Sequence, residues 1–192
     1  MYAYLEGKLT YKSASLVHLD VHGVGYELNI TLQTYAKIVN EETCRLFTHL
    51  QIKEDGWALF GFAEENERAT FRQLLAITGV GAQTARIILS SLTTDELERA
   101  IGFEDTKTLE KIKGIGAKTA QRIVLELKGK VLKPKNSSSL SAVKHNTTVE
   151  DALIALVNLG ISRLVAENAV KKLENTASMT VEDIIKQALR AL

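Results

Sequence analysis

A chain of 192 residues exceeds one typical domain of ~100–150 residues, so two or three small units are expected. Its hydrophobic content of 45% supplies real cores and excludes a disordered tail protein. With 24 basic and 23 acidic residues the net charge is +1, so affinity for a polyanion has to come from how charge is distributed. The single cysteine, Cys44, excludes an intrachain disulfide, and no Cys/His spacing suggests zinc. No apolar run approaches the ~20 residues of a membrane span, and Met1-Tyr2-Ala3-Tyr4 reads as strand rather than signal peptide, so a soluble, cytoplasmic protein is expected.

Residues 1–62 alternate with a β period over Tyr2–Leu9, Ser15–Val21, Gly25–Leu32, Arg45–Ile52 and Trp57–Phe62, which predicts a small barrel or sandwich. Turns are expected at Gly23-Val24-Gly25 and at Glu54-Asp55-Gly56, where Asp-Gly favours a tight hairpin. Residues 63–131 switch to a helical period, with Phe71, Leu74 and Leu75, then Ala85, Ile88 and Leu89, on single faces. Thr93 followed by Glu96 predicts a capping box. Residues 132–146 hold the only proline, Pro134, and the run Asn136-Ser137-Ser138-Ser139, a linker composition. Residues 147–192 predict three short helices: Thr147–Leu159, opened by a Thr147/Glu150 box and stopped by Gly160, then Ser162–Leu173 and Thr180–Leu192.

The segment Leu74–Leu92 aligns without gaps on Leu109–Leu127, sharing Leu, Ile, both glycines, Ala, Thr, Ala, Ile and Leu at matched places. Such an internal repeat predicts a pseudo-symmetric pair. Each copy carries Gly-x-Gly directly before a helix: Gly79-Val80-Gly81 leading to Gln83 and Thr84, and Gly114-Ile115-Gly116 leading to Lys118 and Thr119. Two such glycines permit a sharp turn whose N–H groups stay unpaired, and a helix N-terminus directly after them makes an anion site. Val80 and Ile115 are expected to anchor the hairpins in the core. A phosphate is the natural ligand, and contacts from backbone amides and a few cations read no base sequence. An αα-turn needing glycine for shape alone is the bland alternative, and the duplication weighs against it.

Charge points the same way. Residues 1–62 hold 5 basic and 7 acidic residues, net −2, whereas residues 63–134 hold 12 and 10, net +2. Lys111, Lys113, Lys118, Arg122, Lys128, Lys130 and Lys133 accompany only Glu126, and Lys118 and Arg122 lie four apart on one helix face. Gly114–Thr119 is not a phosphate-binding P-loop, because Ala117 stands where that motif needs glycine, and neither copy has the third glycine of a dinucleotide fingerprint. His18, His22, His49 and His145 pair with no nucleophile or metal partner in the sequence, so no catalytic residue, metal or cofactor is expected.

In order, Gly23-Val24-Gly25-Tyr26-Glu27, Phe47-Thr48-His49, Glu54-Asp55, Leu59-Phe60-Gly61-Phe62, Glu67-Arg68 and the two Gly-x-Gly motifs resemble the RuvA family over essentially the whole chain. The resemblance implies an α+β multidomain protein: an OB-type β-barrel, a tandem helix-hairpin-helix domain and a small three-helix, UBA-like C-terminal bundle. It implies sequence-independent binding of four-way (Holliday) junctions and branch migration with the RuvB ATPase, contacted through the C-terminal domain. It further implies a homotetramer, alone or sandwiching the junction as an octamer, with the RuvC resolvase as a further partner. Carried over by position, the hairpins hold arm phosphates, Lys118 and Arg122 support the second hairpin, and Glu54 with Asp55 forms an acidic pin at the crossover. Gln83 departs from the lysine frequent at that place in the family, so the first hairpin relies on backbone N–H groups and Thr84. Two other functions compete. A glycosylase needs a downstream catalytic Asp, yet between Ala117 and Thr147 the only acid is Glu126. A single-strand binder needs stacking aromatics, for which Tyr2, Tyr4, Tyr26, Trp57 and Phe60 are candidates.

Overall fold

The computed structural model describes residues 2–54, 56–131, 147–173, 176 and 179–191, with no account of the side chains of 129–131 and 147. The expected linker 132–146, Asp55 and His145 lie outside the described residues. Contacts gather the chain into two compact units, Met1–Lys135 and Asn136–Leu192.

In the first unit, strands β1 (Tyr4–Lys12), β2 (Leu16–Val21), β3 (Val24–Ile30), β4 (Thr43–Lys53) and β5 (Gly56–Phe62) close into a barrel in the order β1-β2-β3-β5-β4. Period-two alternation turns Leu5, Leu9, Val17, Leu19, Leu28, Ile30 and Leu46 into its core, as the apolar pattern requires. Closure leaves no long free edge, and the OB-type α+β architecture holds.

Three local expectations change. The β2–β3 turn sits one residue earlier than Gly23-Val24-Gly25: Val21 pairs with Val24, and His22 and Gly23 take φ of 52° and 86°, the conformation of a two-residue hairpin turn. Likewise Lys53 pairs with Gly56, so glycine already belongs to β5. Helix α1 (Leu32–Ile38) is an addition to the expected elements. At 7 residues it is too short to print a period, and its one signal is Thr31, whose hydroxyl accepts the Thr34 N–H as N-cap.

Helices α2 (Glu65–Leu75), α3 (Ala82–Ser91), α4 (Thr94–Gly102), α5 (Thr106–Glu110) and α6 (Ala117–Val131) follow. The Thr93/Glu96 capping box opens α4 as expected. The helices pack on the barrel's last strand, with the Phe71 ring 5.1 Å from Phe60 and 4.9 Å from Phe62, so both regions share one core. A buried polar joint adds to this. The Glu67 carboxylate accepts from the hydroxyls of Thr31 and Thr34 (2.8 Å for Thr34), and Thr34 in turn accepts the Ala63 N–H at 2.9 Å. Burial pushes the Glu67 carboxyl above its ordinary range, against the opposite pull of its hydroxyl donors and Lys37. Arg68, also buried, donates to the carbonyls of Ala3 and Thr48 and pairs with Glu65.

His49 lies against Phe71, ring centroids 5.4 Å apart, and burial first, then Arg72 and Arg68, hold its pKa below the ordinary imidazole value. A histidine whose folded pKa is depressed contributes stability that is present above its unfolded pKa, ~6.5, and is lost as pH falls through the folded value. Lowering pH from 7.5 to 5.5 should therefore cost the wild type more stability, by urea unfolding, than it costs His49→Gln. Equal losses would show that His49 titrates freely.

The second unit packs α7 (Thr147–Asn158), α8 (Arg163–Lys171) and α9 (Val181–Arg190) around Ala152, Leu156, Ala166, Ala169, Ile184 and Ala188. Gly160, φ 93°, ends α7 as expected: its N–H bonds the Val157 carbonyl and the Ile161 N–H bonds that of Leu156. Glu150, expected in a capping box, accepts from Arg163. Thr180 caps α9 by accepting the Asp183 N–H at 3.2 Å.

Candidate nucleic-acid interface

The two Gly-x-Gly segments adopt one conformation. In each, the first glycine has a left-handed φ, 90° at Gly79 and 89° at Gly114, where any other residue is strained. In each, the middle residue closes a turn onto the carbonyl three residues back: Val80 N–H to Ile77 and Ile115 N–H to Ile112, both at 3.0 Å. This corrects the expectation that every turn amide is open, because the middle one is spent on the turn itself. Val80 and Ile115, each 5% exposed, are buried in the shared core as anchors. Each following helix begins with its fourth N–H bonding the second glycine's carbonyl, Ala85 to Gly81 and Ala120 to Gly116, both at 2.9 Å.

The amides in front of those bonds are available. No hydrogen bond among the described residues takes the N–H of Gly81, Ala82, Gln83 or Thr84, nor of Gly116, Ala117, Lys118 or Thr119, as the geometry of a helix start dictates. The second glycine of each pair is informative for a different reason. Gly81 has φ −86°, open to any residue, and a Cβ added at Gly81 or Gly116 would meet nothing within 4 Å. Neither conformation nor packing demands glycine there. What the missing side chain preserves is clearance in front of the amides.

The surroundings of the two hairpins differ. Gln83 and Lys118 occupy matched, exposed positions, and Lys111 and Lys113 add exposed cations just before the second motif. Arg122, expected beside the second hairpin, reaches the first: its Nη1 donates to the Thr78 carbonyl at 3.0 Å. It thus ties α6 to the loop of the other copy. Its position in the first motif is held by Ile87, so this tie is not repeated by symmetry. Lys128 pairs with Glu104.

The β4–β5 hairpin approaches the first motif. Beyond the pairing of β1 with Thr43–Phe47 and of β3 with Phe60–Gly61, its strands pair only with each other. Between this arm and the start of α3 lies a cleft of about 430 Å³, with Gln51, Lys53 and Trp57 on one wall and Gly81, Ala82 and Gln83 on the other. Nothing in the sequence singles out Lys53, since only folding brings it to Gln83. Glu54, at the end of the arm, is exposed.

Among the candidate stacking aromatics, Phe60 is 2% exposed and belongs to the core, Tyr2 packs edge-on against Tyr26 at 6.0 Å, and Tyr4 lies under Arg45 at 4.5 Å. Trp57 alone of the five is three-quarters exposed. Among the described residues no His, Cys, Asp or Glu group could hold a metal ion, and no helix is long and apolar enough to cross a membrane.

Comparison with known proteins accounts for the whole chain. Residues 1–61 match the RuvA N terminal domain, residues 71–130 a SAM-like helix-hairpin-helix tandem, and residues 147–192 the RuvA C-terminal domain. Similar proteins include the Holliday junction branch migration complex subunit RuvA of Christiangramia forsetii and that of Flavobacterium psychrophilum, each 46% identical over 193 residues and covering 100% of both chains. That of Chromobacterium violaceum is 42% identical over 98% of this chain and 96% of its own. Three matched regions in this order, and relatives of this identity from end to end, show that the chain belongs to the RuvA family.

Proposed function

We propose that the chain binds four-way DNA junctions through their phosphates, without reading sequence, and acts as the non-catalytic subunit of an ATP-driven branch-migration complex in recombination and repair. The observation that carries the reading is the duplicated hairpin, with matched glycine φ values, free amides and unfilled space before them. A phosphate oxygen fits that space and satisfies those amides, helped by the positive end of α3 and of α6. Gly79, Gly81, Gln83 and Thr84 form the first grip, held in place by the buried anchor Val80. Gly114, Gly116, Lys118 and Thr119 form the second, anchored by the buried Ile115, with Arg122 serving both through its tie to Thr78. A tetramer, closing a head-to-tail interface at four copies, would present one pair of grips to each arm of the junction. Titrating the protein with a four-way junction, a duplex and a single strand at one salt concentration tests this. Preference for the junction supports the reading, and preference for the single strand overturns it.

Lys118→Ala combined with Arg122→Ala should weaken junction binding equally for all sequences. The log–log salt dependence should flatten by ~0.9 for each phosphate that is no longer neutralised. An unchanged slope would show that neither cation meets phosphate.

The C-terminal unit is the proposed docking site for the RuvB motor. It leaves Leu159 63% and Leu164 70% exposed, together with Val157 and Val165, apolar side chains open to a protein partner. A chain ending at Lys133 should bind junctions as the full chain does, and fail to support ATP-driven migration. Migration at the normal rate would remove this unit from the coupling.

A further inference from the structure

The dihedral angles name the turn in each hairpin. Ile77-Thr78-Gly79-Val80 and Ile112-Lys113-Gly114-Ile115 both close with the fourth N–H on the first carbonyl, with a left-handed glycine in third place and an ordinary negative φ at Thr78 and Lys113. That combination is a type II turn. A type I turn differs from it in the peptide between the two central residues, which is turned over, so that the third residue moves to φ of about −90°. Across a trans peptide the carbonyl and the N–H point opposite ways. Turning over the Thr78–Gly79 peptide therefore puts a carbonyl where the Gly79 N–H, which no hydrogen bond among the described residues takes, now points. An anion approaching from that side meets a donor in the first state and a repelling oxygen in the second.

The two turns are not held alike. From α6, Arg122 Nη1 donates to the Thr78 carbonyl at 3.0 Å. At the matched position of α3 stands Ile87, which has nothing to donate, and no hydrogen bond among the described residues ends on the Lys113 carbonyl. Charge is divided the other way, with Lys118 in the second motif and the neutral Gln83 at the matched place in the first. We propose that Arg122 is a positioning residue: its bond to the Thr78 carbonyl holds the first hairpin in the anion-accepting type II state before DNA arrives, whereas the second hairpin is set in that state by the phosphate it binds. The proposal rests on the junction-binding reading. A grip ordered in advance gives up little freedom on binding and manages without a lysine, while the second gives up more, which attraction to Lys118 offsets.

Alanine at the left-handed glycines separates this role from charge. A Cβ at Gly79 or Gly114 meets nothing within 4 Å, so alanine acts through φ alone and favours the type I turn, whose carbonyl has turned away from Arg122. Junction affinity of the full chain is measured at one salt concentration for Arg122→Ala in three backgrounds, wild type, Gly79→Ala and Gly114→Ala, with thermal unfolding of each. Any loss due to the charge of Arg122 is common to the three. The loss due to its bond should appear in wild type and in Gly114→Ala and vanish in Gly79→Ala, where Arg122→Ala should cost roughly 2- to 12-fold less affinity for each first hairpin engaged, the worth of one hydrogen bond. Equal losses in all three backgrounds would leave Arg122 as a charge and overturn the proposal with junction binding intact. So would a tie that lowers the melting temperature and leaves affinity untouched. A wild type that binds no junction would remove both readings. If a glycine variant does not fold, the amide lines of a chain labelled with nitrogen-15 in its 12 glycines decide: Arg122→Ala should broaden the Gly79 line by exchange and leave that of Gly114 as it was, and an unchanged Gly79 line overturns the proposal.

Discussion

Replacing Gly81 and Gly116 by asparagine should stabilise the fold slightly and abolish most junction binding, two effects of opposite sign from one pair of changes. Gly81 precedes α3 with extended backbone, φ −86° and ψ 172°, and Gly116 occupies the matched place before α6. Asparagine is among the best residues for such an N-cap, its side chain accepting an N–H of the first turn, and it gains a few tenths of a kcal/mol over glycine. Space is no obstacle, because a Cβ at either position meets nothing within 4 Å. The same side chain, however, occupies the amides that are otherwise offered outward, and it stands where a phosphate must approach. Hydrogen bonds to a charged group contribute roughly 1.5–3 kcal/mol each, so losing one or more per hairpin amounts to roughly 3–6 kcal/mol, about a 10²- to 10⁴-fold loss of affinity. Thermal unfolding and junction titration of the same variant measure both signs. Retained affinity with a raised melting temperature would mean that the glycines serve the turn and nothing outside it.

The hairpins are legible in the sequence because their determinants are local. A left-handed residue, an apolar anchor one place on and a helix start after it lie within six residues, and their repetition after 35 positions separates them from chance. The Thr93/Glu96 box and the Gly160 stop are local in the same sense, and both form as expected. Helix α1 escapes because 7 residues make barely two turns, too few for a period to rise above the strand-like residues around it. The site's remaining parts are set by chain closure. Arg122 meets Thr78 across 44 residues of sequence, and Lys53 reaches the first hairpin only because Phe60 and Phe62 are packed into the core of the helices. Spacing along a chain carries no trace of either. Glu67 shows the same limit: spacing along the chain does not tell that this carboxylate is 4% exposed and held by the hydroxyls of Thr31 and Thr34 at the start of α1, more than 30 residues earlier.

That fixed placement of the β4–β5 arm beside the first hairpin gives the acidic pair Glu54 and Asp55 its expected effect. Glu54 is exposed at the end of an arm that stands clear of the barrel strands, and Asp55 follows it in sequence, outside the described residues. In the proposed tetramer four such pairs converge where strands exchange. Two like charges 4 Å apart repel by ~1 kcal/mol even at the dielectric of water, and by more where the assembly excludes water. The repulsion weakens binding of any DNA whose phosphates cross the centre. A continuous duplex must lay both backbones across it, whereas a four-way junction opened at its centre leaves it clear, so the cost falls on the wrong substrate and discrimination results. Glu54→Gln with Asp55→Asn keeps side-chain size and turn preference while removing the charge. With several repulsive pairs relieved, duplex affinity should rise by about tenfold or more, junction affinity should rise much less, and the junction-to-duplex ratio should fall accordingly. Motor-driven migration should slow as well, because the same repulsion helps to part the strands entering the crossover. Both titrations belong at one fixed salt concentration, since added salt screens the repulsion and would narrow the ratio by itself. A ratio unchanged by the double substitution would leave Glu54 and Asp55 with the ordinary work of a polar hairpin turn, and would place the source of junction preference in the spacing of the eight phosphate grips instead.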